Sequence, residues 1–482
     1  MPRLDRWLLQ SLREPSRRAW LWILLGVALR LLLIWFPRPT DDDTTDYLAL
    51  GHNLLHYGVY GQGTPDDLSP TLFRLPGYPI VLGLFEWAFA RLWPASWMTV
   101  LLVVQALTDL VSGMLLASFS RRYLSPRAGE IALALAMLCP FTAAFAGIAL
   151  TESFSVFALA LGIYAVGRAL AEREAGRGGL PFLLLAGAAS GFAMLLRPDG
   201  VLQFAALAAG LLWYSARPVS RAALRRAIGS SAIYVCVALA SIAVWTLRNW
   251  ETFHVFQPLA PRHLNDPGER FNKGFYDWLR TWSTEFITTS NVFWQVGSES
   301  IEMDDIPARA FDSPAQKEHT RALIEEYNRT HSISADLDDR FEALARERIH
   351  NHPVQCFVVV PGLRVLDMLL RPRTLEFGLE VDWWAWEQHP GQSAAAVLLG
   401  LVNLGYVLAA LWGFLRGRVP LAWMMGGYLL MRCLLLSTME NPEPRYTIQM
   451  FPVFILAASA AFAGNRLLAV RQSTSGSFPY AH

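Results

Sequence analysis

Four aspartates crowd one short stretch, Asp41, Asp42, Asp43 and Asp46, and Tyr47 follows the last of them. Carboxylates at this density suit two tasks: taking a proton from a hydroxyl, or holding a divalent metal. A plainer use is equally open, because Asp43 can cap a helix and Asp46, three along, can complete a capping box. Three arginines stand on stiff turns: Arg74 before Leu75-Pro76-Gly77-Tyr78-Pro79, Arg197 before Pro198-Asp199, and Arg445 in Asn441-Pro442-Glu443-Pro444-Arg445-Tyr446. A guanidinium fork binds phosphate bidentately, so three such arginines converging on one face would make a phosphate site. Each alone is as well explained by snorkelling at a membrane surface. Glu152, after Thr151, is a further acid at the tip between two apolar segments. His52 and His56 are four apart, a spacing compatible with a metal, but the acid and third ligand of a zinc-protease motif are missing beside them. No metal is expected there and no cofactor is expected at all; a divalent ion at Asp41–Asp43 is the one option left. Phosphate-binding loops, dinucleotide fingerprints and nucleophile elbows are absent, and the four cysteines show no metal or disulfide spacing.

These residues need elements to hold them. Of 482 residues 53% are hydrophobic, which excludes an ordinary soluble protein, and apolar stretches long enough to cross a hydrocarbon core recur. The net charge of +1 offers no field for nucleic acid. The expected class is all-α: a polytopic membrane helix bundle of about ten spans, with outer juxtamembrane helices and a helical extracytoplasmic loop region. Spans are expected near 18–36, 97–119, 128–148, 152–171, 180–196, 199–215, 227–247, 393–415, 419–437 and 447–468. The first is read as an uncleaved span behind a basic N-terminus. With that terminus inside, Arg121, Arg122 and Arg127, then Arg168, Arg173 and Arg177, then Arg217, Arg221, Arg225 and Arg226, then Arg416 and Arg418, and the tail with Arg466 and Arg471, all fall on the cytoplasmic side. Keeping that parity makes 77–93, interrupted by Glu86, an interfacial or re-entrant helix. Val354–Leu370, with Arg364 and Asp367, is likewise placed in the interface.

Tyr47, Leu48, Gly51, Leu54 and Leu55 follow a helical stripe, so the aspartates open an amphipathic outer helix. Helices are also expected over Ser313–Thr330 and Asp336–His350. Arg30 and Asp109, at similar depth in antiparallel spans, are expected to pair, and Arg432 lies nearer the outer end. Three segments result: 1–247, a membrane module with the first outer loop at 37–96; 248–392, outside the membrane with an interfacial helix; and 393–482, the last spans.

The order of motifs resembles a known superfamily. Asp-x-x-Asp-Tyr-Leu on an outer helix, Arg-x-Pro-Gly-Tyr-Pro, Thr-Glu-Ser-Phe, Leu-Leu-Arg-Pro, Arg-Asn-Trp and Glu-Pro-Arg-Tyr before the last span look like the GT-C glycosyltransferases. Within them the chain resembles the bacterial relatives of protein O-mannosyltransferases and of the lipid A aminoarabinose transferase, most clearly over 18–250 and 419–468. The resemblance implies a polyprenyl-phosphate sugar donor, transfer with inversion, and an acceptor hydroxyl on a lipid, glycan or protein outside the cytoplasm. It implies an enzyme of the cytoplasmic (inner) membrane facing the periplasm, with membrane lipids as partners and cell-envelope glycosylation as the setting. It makes Asp43, four residues before Tyr47, the catalytic base and Glu152 the second acid, where many relatives carry aspartate. It also makes Arg74, often lysine in relatives, a donor-phosphate contact, with Arg445 near the donor. Arg197 joins the phosphate site by its turn, and Asp46 and Tyr47 are candidate acid and acceptor contacts. The rival reading is a transporter or flippase of a lipid-linked or small polar substrate, since Arg30 and Asp109 could mark a substrate path. Repeated halves and interrupted mid-membrane helices, usual in transporters, are not seen in the sequence. A non-catalytic assembly or lipid-binding protein is the third reading.

Overall fold

In the computed structural model, residues 17–36, 42–217 and 219–462 are described. The basic N-terminus, Pro37 to Asp41, and the tail with Arg466 and Arg471 lie outside them. The chain divides into two compact units: residues 1–261, 406–428 and 449–482 make the first, and residues 262–405 and 429–448 the second.

The first unit holds α1 (Arg17–Trp35), α2 (Asp42–Tyr57), α3 (Gly77–Phe89), α4 (Trp97–Tyr123), α5 (Pro126–Met137), α6 (Pro140–Ala146), α7 (Glu152–Glu174), α8 (Leu180–Leu196), α9 (Gly200–Ser215) and α10 (Arg221–Phe253). A two-residue ribbon, Gly61–Gln62 with Ser69–Pro70, supplies the only strands among the described residues. Five helices are long and apolar enough to cross a membrane, or up to seven if each of two bent pairs counts as one span. The protein is an integral membrane protein. α3 has 13 residues. At 1.5 Å per residue that is about 20 Å, short of a hydrocarbon core of about 30 Å, as expected for an interfacial or re-entrant helix.

The expected span at 128–148 is broken. α5 and α6 meet at a bend of 51° between Met137 and Pro140. Proline has no N–H for the carbonyl four residues back, so the Ala136 carbonyl loses its helical partner. Arg30 takes its place, donating to the Ala136 and Met137 carbonyls at 3.2 and 2.8 Å and to its own turn at the Gly26 carbonyl. Its remaining N–H groups reach Asp109 at 2.9 and 2.6 Å. Arg30 and Asp109 are nearly fully buried, so this pair is part of the scaffold.

Two ends of the unit are defined by contacts. At one, Arg173 donates to Ser215 and Ser230, and the Tyr123 hydroxyl donates to the Gly167 carbonyl. At the other, Thr44 of α2 donates to the Ala149 carbonyl, and a Cβ on Gly77 would lie 2.6 Å from the Leu195 carbonyl. The loops rich in arginine and the aspartate-bearing helix therefore occupy opposite ends.

The second unit contains α11 (Lys273–Arg280), α12 (Pro314–Thr330), α13 (Ala335–Asn351) and α14 (Val360–Leu370). Both helices expected here form, and each has a serine cap: Ser313 accepts from the Gln316 N–H and Ser334 from the Leu337 N–H. Trp278, Trp282 and Phe341 centre its core. Its loops are tied by buried arginines that composition alone could not reveal. Arg348 donates to the Arg309 and Ala310 carbonyls and to Asp312; Arg364 donates to the Arg280, Ser283 and Ser437 carbonyls. α15 (Pro390–Leu415) and α16 (Ala422–Ser437) contribute residues to both units, and α17 (Phe451–Ala461) is buried in the first.

Candidate functional site

α2 begins at Asp42, which puts Asp43 in the first turn of the helix and not at its cap. The capping box expected from Asp43 and Asp46 is therefore not the arrangement found. Both side chains turn instead toward Arg74: its Nη2 contacts Asp43 Oδ1 and lies 3.3 Å from Asp46 Oδ2. The residues are three apart, so one helical face offers both carboxylates to one guanidinium. Asp43 is 20% exposed and Asp46 35%, leaving both open to a ligand.

The loop carrying Arg74 is held from behind. Tyr60 donates to the Arg74 carbonyl at 3.1 Å, and Arg248 donates to the Tyr60 and Thr71 carbonyls, each at 2.8 Å. Arg248 also lies over the Tyr60, Trp245 and Phe253 rings. The sequence offered Arg248 only as one letter of a motif; its positioning role depends on contacts far along the chain. Arg74 itself lies over the Tyr47 and Phe73 rings. Burial works to lower its pKa, but Asp43, Tyr47 and Asp46 more than offset this and raise it. It stays a cation under any working condition.

A second pair stands beside the first. Arg197 binds Glu152 at 2.7 Å and Asp199 at 3.3 Å, and donates to the Thr151 hydroxyl at 3.1 Å. Glu152 is only 2% exposed, whereas Asp199 follows Arg197 on the same turn. Tyr47 links the two pairs. Burial raises its phenol pKa to about 12, and the charges of Arg74, Asp43, Arg197 and Glu152 all act on it. Its hydroxyl is therefore a donor and not a base near neutrality. The Tyr47 ring meets Tyr78 edge-on at 5.3 Å, and Tyr78 donates to Gln105 at 2.7 Å.

Of the expected site residues, Asp43, Asp46, Tyr47, Arg74, Glu152 and Arg197 thus form one cluster in the first unit. Arg445 belongs to the second unit, where it pairs with Glu443 at 2.5 Å and lies over the Tyr446 ring. Arg432, also there, donates to the Tyr446 carbonyl. Asp41 and the Asp42 side chain lie outside the described residues, so the metal option at Asp41–Asp43 has no described geometry.

The family model described as dolichyl-phosphate-mannose-protein mannosyltransferase matches residues 78–247. Among solved structures, the oligosaccharyltransferase of Archaeoglobus fulgidus in its apo form matches with a TM-score of 0.53 at 14% identity, over 99% of this chain and 53% of that one. The same enzyme tethered to an acceptor peptide gives 0.52 at 12% identity, over 95% of this chain and 49% of that one. ArnT of Cupriavidus metallidurans bound to undecaprenyl phosphate gives 0.39 at 12% identity, over 92% and 78%. A search of curated proteins returns no match. The chain spans about half the length of the oligosaccharyltransferase it matches. The two matches to the oligosaccharyltransferase, both above 0.5, establish the membrane helix-bundle fold. The matched segment begins at Tyr78 and therefore covers Glu152 and Arg197 but not Asp43, Asp46, Tyr47 or Arg74.

Proposed function

We propose that this chain, which resembles the GT-C glycosyltransferases in its fold and in its matched segment, moves a sugar from a polyprenyl-phosphate carrier to an acceptor hydroxyl on a lipid, glycan or protein. The observation that carries the proposal is the arrangement of two carboxylates on one arginine, part-exposed at the end of the bundle opposite its arginine-rich loops. Asp43 takes the proton of the acceptor hydroxyl as its oxygen attacks the anomeric carbon. The bond from that carbon to the phosphate oxygen breaks, its electrons stay on the oxygen, and polyprenyl phosphate leaves with one more negative charge. Attack from the face opposite the leaving group inverts the configuration. Arg74, already a cation among carboxylates, turns to the departing phosphate, where a preorganised charge counts most. Arg197 holds the nearly buried Glu152 behind Tyr47. The site faces away from the cytoplasm, at the outer surface of the cytoplasmic membrane. There the lipid tail confines the donor to a surface and reduces the search for it.

The family description names a dolichyl-phosphate sugar, and that donor class is what the test supplies. Purified protein in detergent or nanodiscs is given polyprenyl-phosphate sugars and candidate acceptors, and release of polyprenyl phosphate is measured. Arg74→Gln should lower turnover by at least a hundredfold while the protein still elutes as a folded species. Donor-dependent release that is unchanged in Arg74→Gln would remove the arginine from the reaction. Uptake of a substrate into vesicles without release of polyprenyl phosphate would favour the transporter reading.

A further inference from the structure

We propose that His52, His56 and Glu86 bind one divalent transition-metal ion of the zinc class, at a site that stands independently of the transfer reaction. One ligand atom from each of the three side chains lies within 4.8 Å of the others. His52 Nδ1 is 2.8 Å from Glu86 Oε1, and the two imidazole rings stack with centroids 4.3 Å apart. The sequence set a metal aside because no third ligand stands near the two histidines. Folding supplies one from 34 residues away, on a different helix.

The backbone explains why the three stay together. α2 and α3 approach at Gly51 and Gly83, so closely that a Cβ on Gly83 would lie 2.7 Å from the Gly51 carbonyl. His52 follows Gly51, and Glu86 stands three residues after Gly83, so the ligands project just beside the tightest part of the contact. His56 lies one turn further along the same face of α2. Zinc in a tetrahedral site needs its ligand atoms about 3.3 Å apart, given bonds of about 2.0–2.1 Å. Closing the remaining gap calls for rotation of the His56 side chain, which is exposed. Two imidazoles and one carboxylate are a borderline donor set, suited to zinc, cobalt or nickel and poor in the oxygens that calcium or magnesium require. Three protein ligands leave a fourth position for water. His52 is 41% exposed and Glu86 23%, so an ion can enter from solvent. Without a metal, His52 and Glu86 simply hydrogen-bond, and the ion would replace the proton they share. Bound, it would clasp α2, which carries Asp43 in its first turn, to α3, which follows Arg74.

The test uses the untagged full-length protein, stripped with chelator and titrated with Zn²⁺ alone and with Co²⁺ alone. Expected are one equivalent bound and a visible Co²⁺ absorption band. His52→Ala with His56→Ala should abolish that equivalent. Glu86→Gln, which keeps the shape and a hydrogen bond to His52, should weaken it at least tenfold. Asp43→Asn should bind as the parent does, which separates this site from the aspartate run. No bound equivalent in the parent, or equal binding in the parent and the Glu86→Gln protein, would show the triad to be a hydrogen bond with a stacked neighbour. Neither result depends on whether the protein transfers a sugar.

Discussion

Asp43 and Asp46 share one guanidinium, yet only Asp43 stands four residues before Tyr47, and substitution separates their roles. Asparagine keeps the size and a hydrogen bond to Arg74 but cannot accept a proton with a carboxylate's basicity. A part-exposed ion pair contributes about 1 kcal/mol or less, so Asp43→Asn should unfold within a few degrees of the parent. Losing a positioned base costs about 10²–10⁴-fold in rate. Asp43→Asn should therefore be folded and nearly inactive, whereas Asp46→Asn keeps most of its turnover. Near-parental release of polyprenyl phosphate by Asp43→Asn would move the base to Asp46 or Glu152. The aspartates and Arg74 were legible in the sequence because each sits in a short, unusual motif. That Arg74 answers both aspartates was not, since no periodicity links positions 28 and 31 residues apart. The same holds for Glu152 and Arg197, which are 45 residues apart and joined only by the return of α8 to the end of the unit where α7 begins.

At the scale of elements, glycine sets how closely α2 meets α3, and this contact places Asp43 relative to Arg74. A Cβ on Gly51 would collide with the Pro79 carbonyl, a backbone atom that cannot rotate away. Gly51→Ala should cost about 1–3 kcal/mol through overpacking, and turnover should fall as the aspartates shift off Arg74. Gly229, in α10 with nothing within 4 Å of an added Cβ, is the control, and Gly229→Ala should match or slightly exceed the parent in stability. Equal melting of the Gly51→Ala protein and the parent would mean that the helices separate freely. Arg30 makes a second test of elements. The sequence placed it beside Asp109 by depth, but the broken helix that it also serves was hidden, because 128–148 reads as one apolar run despite Pro140. Arg30→Leu leaves Asp109 buried without a counter-charge and two carbonyls without a donor, and should cost about 3–5 kcal/mol. Adding Asp109→Leu should recover part of that loss and not all, since the Ala136 and Met137 carbonyls stay orphaned. Full recovery would reduce the cluster to a simple ion pair.

At the scale of the molecule, the positions of charge decide orientation. Most spans were legible because a run of about 20 apolar residues has few other uses. The second unit was legible only in its capped helices, because its remaining order comes from buried arginines that bind backbone carbonyls and leave no periodic trace. In the first unit the contacts of Arg173 with Ser215 and Ser230 gather the ends of α7 and α9 and the start of α10 at one end. Arg121, Arg122 and Arg127 flank the junction of α4 and α5, and the Tyr123 contact with Gly167 brings that junction to the same end. Asp43, Arg74, Glu152 and Arg197 are at the other. Arginine resists translocation, so the end with the basic loops is the one expected to stay in the cytoplasm. Reporters fused at Arg122, Arg173, Arg225 and Arg418 should therefore read cytoplasmic, and one at Asn328 extracytoplasmic. The short helix α3 is what makes this parity testable. Were Gly77–Phe89 a full span, the orientation of Arg122 would invert relative to the first helix. Moving the reporter from Ala95 to Arg122 crosses one span in either case and isolates α4. Moving it from Gly58 to Ala95 crosses α3 alone, and both fusions should read extracytoplasmic. A cytoplasmic signal at Ala95 with an extracytoplasmic one at Gly58 would make α3 a true span. A cytoplasmic signal at Asn328 would place the second unit inside and remove the basis for an acceptor outside the cytoplasm.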